Sequence, residues 1–123
     1  MERIEEFAVE ENNFIYLDLS EMKTNDEFME MAEATKAIIS KYPKNSLYTI
    51  ININDIRFDS ETKVFLVDYM AYNKPYVKRG AVVGFESIKK MIMIHSICDM
   101  DEGAKMLFTF TKEKAVELLL RKE

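Results

Sequence analysis

The residues best suited to chemistry are His95 and Cys98, the only histidine and the only cysteine in the 123-residue chain. They stand three positions apart, which places both on one face of a helix, and Asp99 and Asp101 follow. A zinc site needs three or four protein ligands, and a nucleophilic cysteine needs a base that is itself held by a third group. Because only carboxylates are available to complete either arrangement, we interpret the pair as a helix histidine beside a packed cysteine. The sequence thus predicts no catalytic residue, no metal site and no cofactor.

Glycine-rich phosphate loops are also missing. Gly80 and Gly84 flank a short apolar run and match neither a P-loop nor a dinucleotide fingerprint. Gly84 is instead predicted to turn the chain at the carboxyl end of a strand, which is where open α/β sheets usually bind ligands. We therefore expect an interaction or ligand-binding rim at that end of the sheet. Its candidate residues are Asn54, Asp55, Arg57, Asp59, Ser60, Glu61, Gly84, Phe85 and Ser87.

An alternation of strand-like and helix-like segments positions these candidates. Short β-branched and aromatic runs predict the strands, and apolar residues recurring at three and four positions predict the helices. The order is ββαβαβαβα, so we expect an α/β fold with a mostly parallel mixed sheet, an antiparallel N-terminal hairpin and helices on both faces. One domain is expected over 1–123. The predicted segments are strands 4–9 and 14–19 joined by a turn at 10–13, helix 25–42, strand 47–53, helix 60–73, strand 76–84, helix 87–98, strand 106–110 and a helix after Thr111.

Charge and composition exclude several classes of protein. The net charge of −5 argues against nucleic acid as a partner, since such binding rests on clustered Lys and Arg. Residues 1–33 carry a net charge of −9 and the remainder carries +4, which predicts an acidic flank beside a mildly basic body. No stretch reaches the roughly 20 apolar residues of a membrane span, and the N-terminus lacks the features of a signal peptide. We expect a cytoplasmic protein.

The third predicted helix is apolar almost all round. Beyond the stripe that one core face requires, it carries further methionine and isoleucine residues, and methionine is common on adaptable binding surfaces. Either the helix is buried on both sides, or it forms a homodimer surface or the wall of an apolar ligand pocket. The candidate residues of this apolar surface are Met91, Met93, Ile94 and Ile97.

The segments 73–78 (Asn-Lys-Pro-Tyr-Val-Lys) and 81–84 (Ala-Val-Val-Gly) resemble the signature of the SpoIIAA-like family, a branch of the STAS-type domains. The resemblance implies a STAS-type fold that docks onto other proteins or binds small ligands. In the sporulation regulators of that group, phosphorylation of a serine in an Asp-Ser-Ser-Gly stretch at the start of the second helix blocks docking. The matching stretch is 59–62, where Glu61 stands at the phosphorylated position with a fixed charge that no kinase can switch.

The leading hypothesis is therefore a non-catalytic STAS-like module that binds an unknown protein partner in cytoplasmic signalling or regulation. The alternative is a small carrier of an apolar ligand or lipid, with its pocket between the Met-rich third helix and the sheet. A hydrolase built around His95 is the remaining option, although no other part of the sequence supports it.

Overall fold

The computed structural model describes residues 3–56, 60–85, 87–92 and 106–121. Their elements follow the predicted order, and the strands β3, β4 and β5 are one or two residues shorter than expected at their ends. The elements are β1 Ile4–Val9, β2 Asn12–Asp18, α1 Asn25–Ile39, β3 Leu47–Asn52, α2 Ser60–Asn73, β4 Val77–Val83, α3 (described over 88–92), β5 Met106–Phe108 and α4 Lys112–Leu120.

The five strands form one sheet in the order β1-β2-β3-β4-β5. β1 pairs antiparallel with β2, and each later neighbour is parallel. The mixed sheet with an antiparallel N-terminal edge is therefore confirmed. Within the described ranges, no helix is long and apolar enough to cross a bilayer.

Both faces of the sheet are covered, as the alternation of strands and helices predicted. Successive residues of a strand point to opposite faces, so Phe14 and Ile15, both fully buried, belong to different cores. On one face Ile15 joins a core with Phe28 of α1 and Leu66 of α2. On the other face Phe14 joins a smaller core with Leu119 of α4. The middle residues of β2 and β3 are mainly apolar because they are buried on both sides.

The turn of the β1–β2 hairpin is shorter than predicted. Val9 pairs with Asn12, so Glu10 and Glu11 alone form the turn, with φ angles of 51° and 69°. Two positive φ angles are typical of the type I′ turn, whose twist matches the flanking strands. Asn12 belongs to β2, and its side-chain amide donates to the carbonyl groups of Val9 and Glu10. The prediction placed the turn on the asparagines, but the strand register places it on the two glutamates.

The buried face of α2 also differs from the prediction. The spacing of the apolar residues within 60–73 predicts that Phe65, Tyr69 and Tyr72 share one face of the helix, but Phe65 is only half-buried and Tyr72 is 38% exposed. The Tyr72 ring lies on the surface beside Tyr76, with the Lys36 ammonium 4.9 Å from its centroid. The helix is rotated so that another set at helical spacing faces the core. The buried residues are Thr62, Leu66, Tyr69, Met70 and Asn73.

Candidate functional site

The carboxyl ends of the parallel strands meet at one edge of the molecule, as the predicted rim required. Backbone hydrogen bonds beyond the regular ladder connect the segments that leave neighbouring strands. These bonds run from Leu19 N to Asn52 O (2.9 Å), from Glu21 N to Asn54 O (2.8 Å) and from Ile53 N to Val83 O (3.0 Å). The rim is therefore a connected backbone surface.

Gly84 allows two of these segments to approach each other. Its φ of +87° lies in the left-handed region that glycine adopts without steric cost. A Cβ atom at this position would overlap Oδ1 of Asn52 and lie 3.0 Å from Asn54 N. That same Oδ1 accepts a hydrogen bond from Asn54 N at 2.9 Å, and the Asn52 amide donates to the Tyr16 hydroxyl at 2.9 Å. The predicted turn at Gly84 is thus present, and its close contact is with a side chain that shapes the rim.

Asn54 and Asp55 lie exposed on the rim. Asp55 has a φ of 54°, and its carboxylate forms an ion pair with Lys23 at 3.3 Å. The Lys23 ammonium also donates to the Asp55 carbonyl oxygen. Because both side chains are more than half exposed, the ion pair contributes roughly 1 kcal/mol or less to stability. The ion pair mainly fixes positions, because it joins the segment before α1 to the loop after β3.

Ser60 and Glu61 begin α2 and stand next to the start of α1. Ser60 is the first helical residue and is exposed, while Arg57 and Asp59 lie outside the described residues. The Glu61 carboxylate accepts a hydrogen bond from the side-chain amide of Asn25, the first residue of α1. The predicted rim residues at 60 and 61 are therefore close to α1, an element that the sequence did not connect with the rim.

An open groove runs between α1 and α2 from this point, with a volume of about 530 Å³. Phe28 and Phe65, whose ring centroids lie 5.0 Å apart, belong to its lining. Met29 is 63% exposed and Val64 is 60% exposed, although both are apolar. We call this surface the α1–α2 groove. It is lined by Asn25, Phe28, Met29, Ser60, Glu61, Val64, Phe65 and Asp68.

The apolar residues of the α1–α2 groove are not among the residues predicted from the sequence. Met29 and Val64 fall outside the stripes with which their helices meet the core, so periodicity gives them no role. A single apolar residue on a polar helix face is ordinary. One feature of the sequence could have indicated the groove. Both helices have an apolar residue on a polar face near their N-terminal ends, where the rim was expected.

Phe85 and Ser87 have roles in the fold. Phe85 is only 7% exposed and stacks on Phe108, with ring centroids 5.6 Å apart, so its side chain belongs to the core. The Ser87 hydroxyl accepts a hydrogen bond from Lys90 N at 3.2 Å and thereby caps α3. Both residues follow the rim segment of Gly84 along the chain.

The described part of α3 shows one half-buried and two exposed apolar side chains. Met91 packs against the core shared with α1 and α2. Ile88 and Ile92, one helical turn apart, are 69% and 62% exposed. The remaining predicted surface residues, Met93, Ile94 and Ile97, lie outside the described residues, as do His95 and Cys98.

The titratable groups with shifted pKa values have structural causes. Hydrogen bonds from the backbone N–H groups of Lys23 and Thr24 lower the pKa of Glu27, which closes the capping box of α1. Burial raises the pKa of the Tyr69 hydroxyl above its ordinary range. Neither group lies on the rim. Among the described residues, His, Cys, Asp and Glu side chains form no group of three or more that could hold a metal ion.

No family model matches the chain, and no curated protein matches it. Among solved structures, it is similar to an uncharacterized protein from the DUF3478 family with a SpoIIAA-like fold, from Shewanella loihica PV-4. The superposition has a TM-score of 0.70 and covers 94% of this chain and 91% of the other, at 10% sequence identity. The chain therefore has a SpoIIAA-like fold, as the resemblance implied.

Proposed function

We propose that the protein is a non-catalytic STAS-type module that docks onto a protein partner in cytoplasmic signalling, through the rim and the adjoining α1–α2 groove. The observation that carries the proposal is the exposure of Met29 and Val64 in one groove at the edge of the rim. Two apolar side chains that line a common concave surface are better explained by a partner than single exposed residues would be. The whole chain acts as one domain in this proposal.

The chemistry of the groove indicates which partner surface fits it. Protein interfaces commonly have an apolar centre within a polar border. Here Met29 and Val64 form the centre, while Glu61 and Asp68 line the same groove. Methionine adapts its shape to a contacting surface. We infer that the partner presents an apolar side chain flanked by Lys or Arg.

Glu61 bears on how such docking is regulated. Its carboxylate already accepts the Asn25 hydrogen bond between the two helix starts. A carboxylate carries about one negative charge, against 1.5 to 2 for a phosphate, and it is permanent at neutral pH. In this proposal the docking surface is constitutively formed, and phosphorylation at position 61 plays no part in its control.

The exposed residues of α3 support a separate contact. Ile88 and Ile92 form a short apolar stripe, and an apolar patch on a small protein is economically covered by the same patch of a second copy. We include a homodimer through α3 in the proposal. Sedimentation velocity over a hundredfold range of concentration tests it, since Ile88→Lys should abolish dimerisation, and a monomer throughout would contradict it.

The test of the docking surface compares matched substitutions in affinity capture from the native host, with quantitative mass spectrometry. Met29→Lys and Val64→Lys place a charge in the groove. Ala37→Lys and Ala71→Lys also introduce a lysine, at exposed positions of the same helices that do not line the groove. We expect a partner that is retained by wild type and both controls and lost with both groove variants.

All four substitutions are at exposed positions, so each should change stability by less than about 0.5 kcal/mol. Thermal melts verify that the variants are folded. Equal retention of every captured protein by groove and control variants would refute the docking surface.

The apolar-ligand carrier stays a prediction. Native mass spectrometry of freshly purified protein tests it directly, because a carrier is expected to arrive with its ligand bound.

A further inference from the structure

The outer edge of β1 presents unused backbone groups. β1 is the first strand of the sheet and, among the described residues, pairs only with β2. Val9 and Asn12 flank the two-residue turn and form a hydrogen-bonded pair, so bonding alternates along the hairpin from that point. By this alternation the N–H and C=O groups of Ile4, Glu6 and Ala8 point away from β2. Within the described ranges, these groups have no hydrogen-bond partner.

A groove lies beside this edge, between β1 and α1, with a volume of about 590 Å³. Its apolar lining includes Ile4 from β1 and Met31 and Ile38 from α1, which also pack against the main core. A strand added to β1 would alternate its side chains between the two faces of the sheet. Every second side chain would then enter this groove. Backbone pairing and side-chain pockets are the two parts of recognition by strand addition.

The charge of the groove selects what can bind. Glu6, Glu27 and Glu30 contribute carboxylates to its lining, and Arg3 is the only base among the described residues that line it. The Arg3 guanidinium donates to two backbone carbonyl oxygens, those of Asp18 and Ser20, each at 2.9 Å. It is therefore held toward the protein's own backbone. Glu30 is exposed and forms no ion pair within the described part of the chain.

We propose that the β1 edge binds an extended, basic segment of another protein as a sixth strand, with apolar residues at alternate positions. Its backbone would pair with Ile4, Glu6 and Ala8, and its Lys or Arg side chains would meet Glu6 and Glu30. A second copy is a poor occupant, because its β1 would add Glu5 and Glu6 and no base to this edge. This surface is separate from the α1–α2 groove, so either can fail without the other.

The direct test is fluorescence anisotropy with labelled six-residue peptides. In the first peptide lysine alternates with valine, and in the second glutamate replaces lysine. We expect the lysine peptide to bind at least tenfold more tightly and to weaken as salt rises from 0.02 to about 0.15 M, where charges are screened beyond roughly 8 Å. Equal binding of the two peptides would overturn the proposal.

Backbone methylation separates strand addition from simple charge attraction. A peptide strand that pairs with the β1 edge forms hydrogen bonds to it through the N–H groups of only one of its own two edges. N-methylation of alternate residues on that edge should weaken binding at least tenfold, whereas N-methylation on the opposite edge should change it less than twofold. Equal effects from both patterns would refute the added strand.

Substitutions in the protein locate the site. Glu30→Lys should weaken the lysine peptide at least fivefold. Glu33→Lys, the same change at an exposed α1 position that does not line the groove, should change it less than twofold. Ala8→Pro removes one outward N–H without breaking the β1–β2 ladder, and it should weaken binding relative to Ala8→Ser.

Circular dichroism verifies that these variants are folded. If Ala8→Pro does not fold, the comparison of Glu30→Lys with Glu33→Lys still tests the proposal. Equal effects of Glu30→Lys and Glu33→Lys would overturn the assignment. The assignment would also be overturned if the free protein self-associated and Glu30→Lys abolished that self-association, because the occupant would then be a second copy.

Discussion

Replacing Gly84 by alanine tests how the rim is built. The left-handed conformation costs a residue with a Cβ atom about 1–2 kcal/mol. The added Cβ also overlaps Oδ1 of Asn52, so the Asn52 side chain must move. That movement breaks its hydrogen bonds with Asn54 N and the Tyr16 hydroxyl, at roughly 0.5–1.5 kcal/mol each. We therefore expect Gly84→Ala to lower the free energy of unfolding by about 2–5 kcal/mol.

A double-mutant cycle with Asn52→Ala separates the two causes. Asn52→Ala alone removes both hydrogen bonds and should cost about 1–3 kcal/mol. In that background Gly84→Ala meets no Oδ1 atom, so what remains is the backbone cost of about 1–2 kcal/mol and the close contact of the new Cβ with Asn54. The two substitutions should therefore be non-additive by about 1–3 kcal/mol, which is well within the range that contacting residues show.

The assay is equilibrium unfolding in urea with a common m-value. The reasoning is refuted if Gly84→Ala changes stability by less than about 0.5 kcal/mol, which is the usual effect of a neutral surface substitution. It is also refuted if the cycle is additive, because Asn52 would then play no part in the cost.

Three further predictions concern the frame that holds the two surfaces. A hydrogen bond to Glu6 raises the pKa of Tyr42 to about 12 from an ordinary value of 10, so the folded protein keeps this proton when the unfolded chain loses it. The stabilisation that this group contributes should be fully present and independent of pH below pH 10, and it should be lost between pH 10 and 12. Urea titrations should show a shallower fall in stability over that range for Tyr42→Phe. Thr24→Ala removes the N-cap of α1 and should cost about 1 kcal/mol, measured by thermal unfolding, with no loss contradicting the capping role. Phe85→Ala should cost about 3–5 kcal/mol because the ring is buried on Phe108, and a folded, equally stable variant would show that Phe85 belongs to the rim surface instead.

Much of the fold follows from local sequence signals. The alternation of strand-like and helix-like segments predicted helices on both faces of the sheet, and the cores on either side confirm it. The predicted start of α1 at Asn25 is confirmed, and Thr24 and Glu27 form a capping box there. Gly84 indicated the turn after β4, and its positive φ bears this out. Each of these signals depends on residues that are close together in the chain, so it can be recognised in a single sequence.

Features that depend on how distant segments meet were not predictable in this way. The exposed pair Met29 and Val64 becomes a surface only because α1 and α2 lie side by side. The hairpin turn falls on Glu10 and Glu11 because the strand register requires it, against the local preference of asparagine for positive φ. Likewise, Phe85 enters the core because β5 brings Phe108 beside it. In each case tertiary packing overrides a local preference.

Site-specific photocrosslinking in cells of the native host tests the docking claim most directly. A photoreactive amino acid is placed at position 29 or 64 in the α1–α2 groove, and at position 37 or 71 as exposed controls on the same helices. If the α1–α2 groove is the docking surface, one protein crosslinks at both groove positions and at neither control. Crosslinks that are absent at 29 and 64, or equally frequent at 37 and 71, would contradict it.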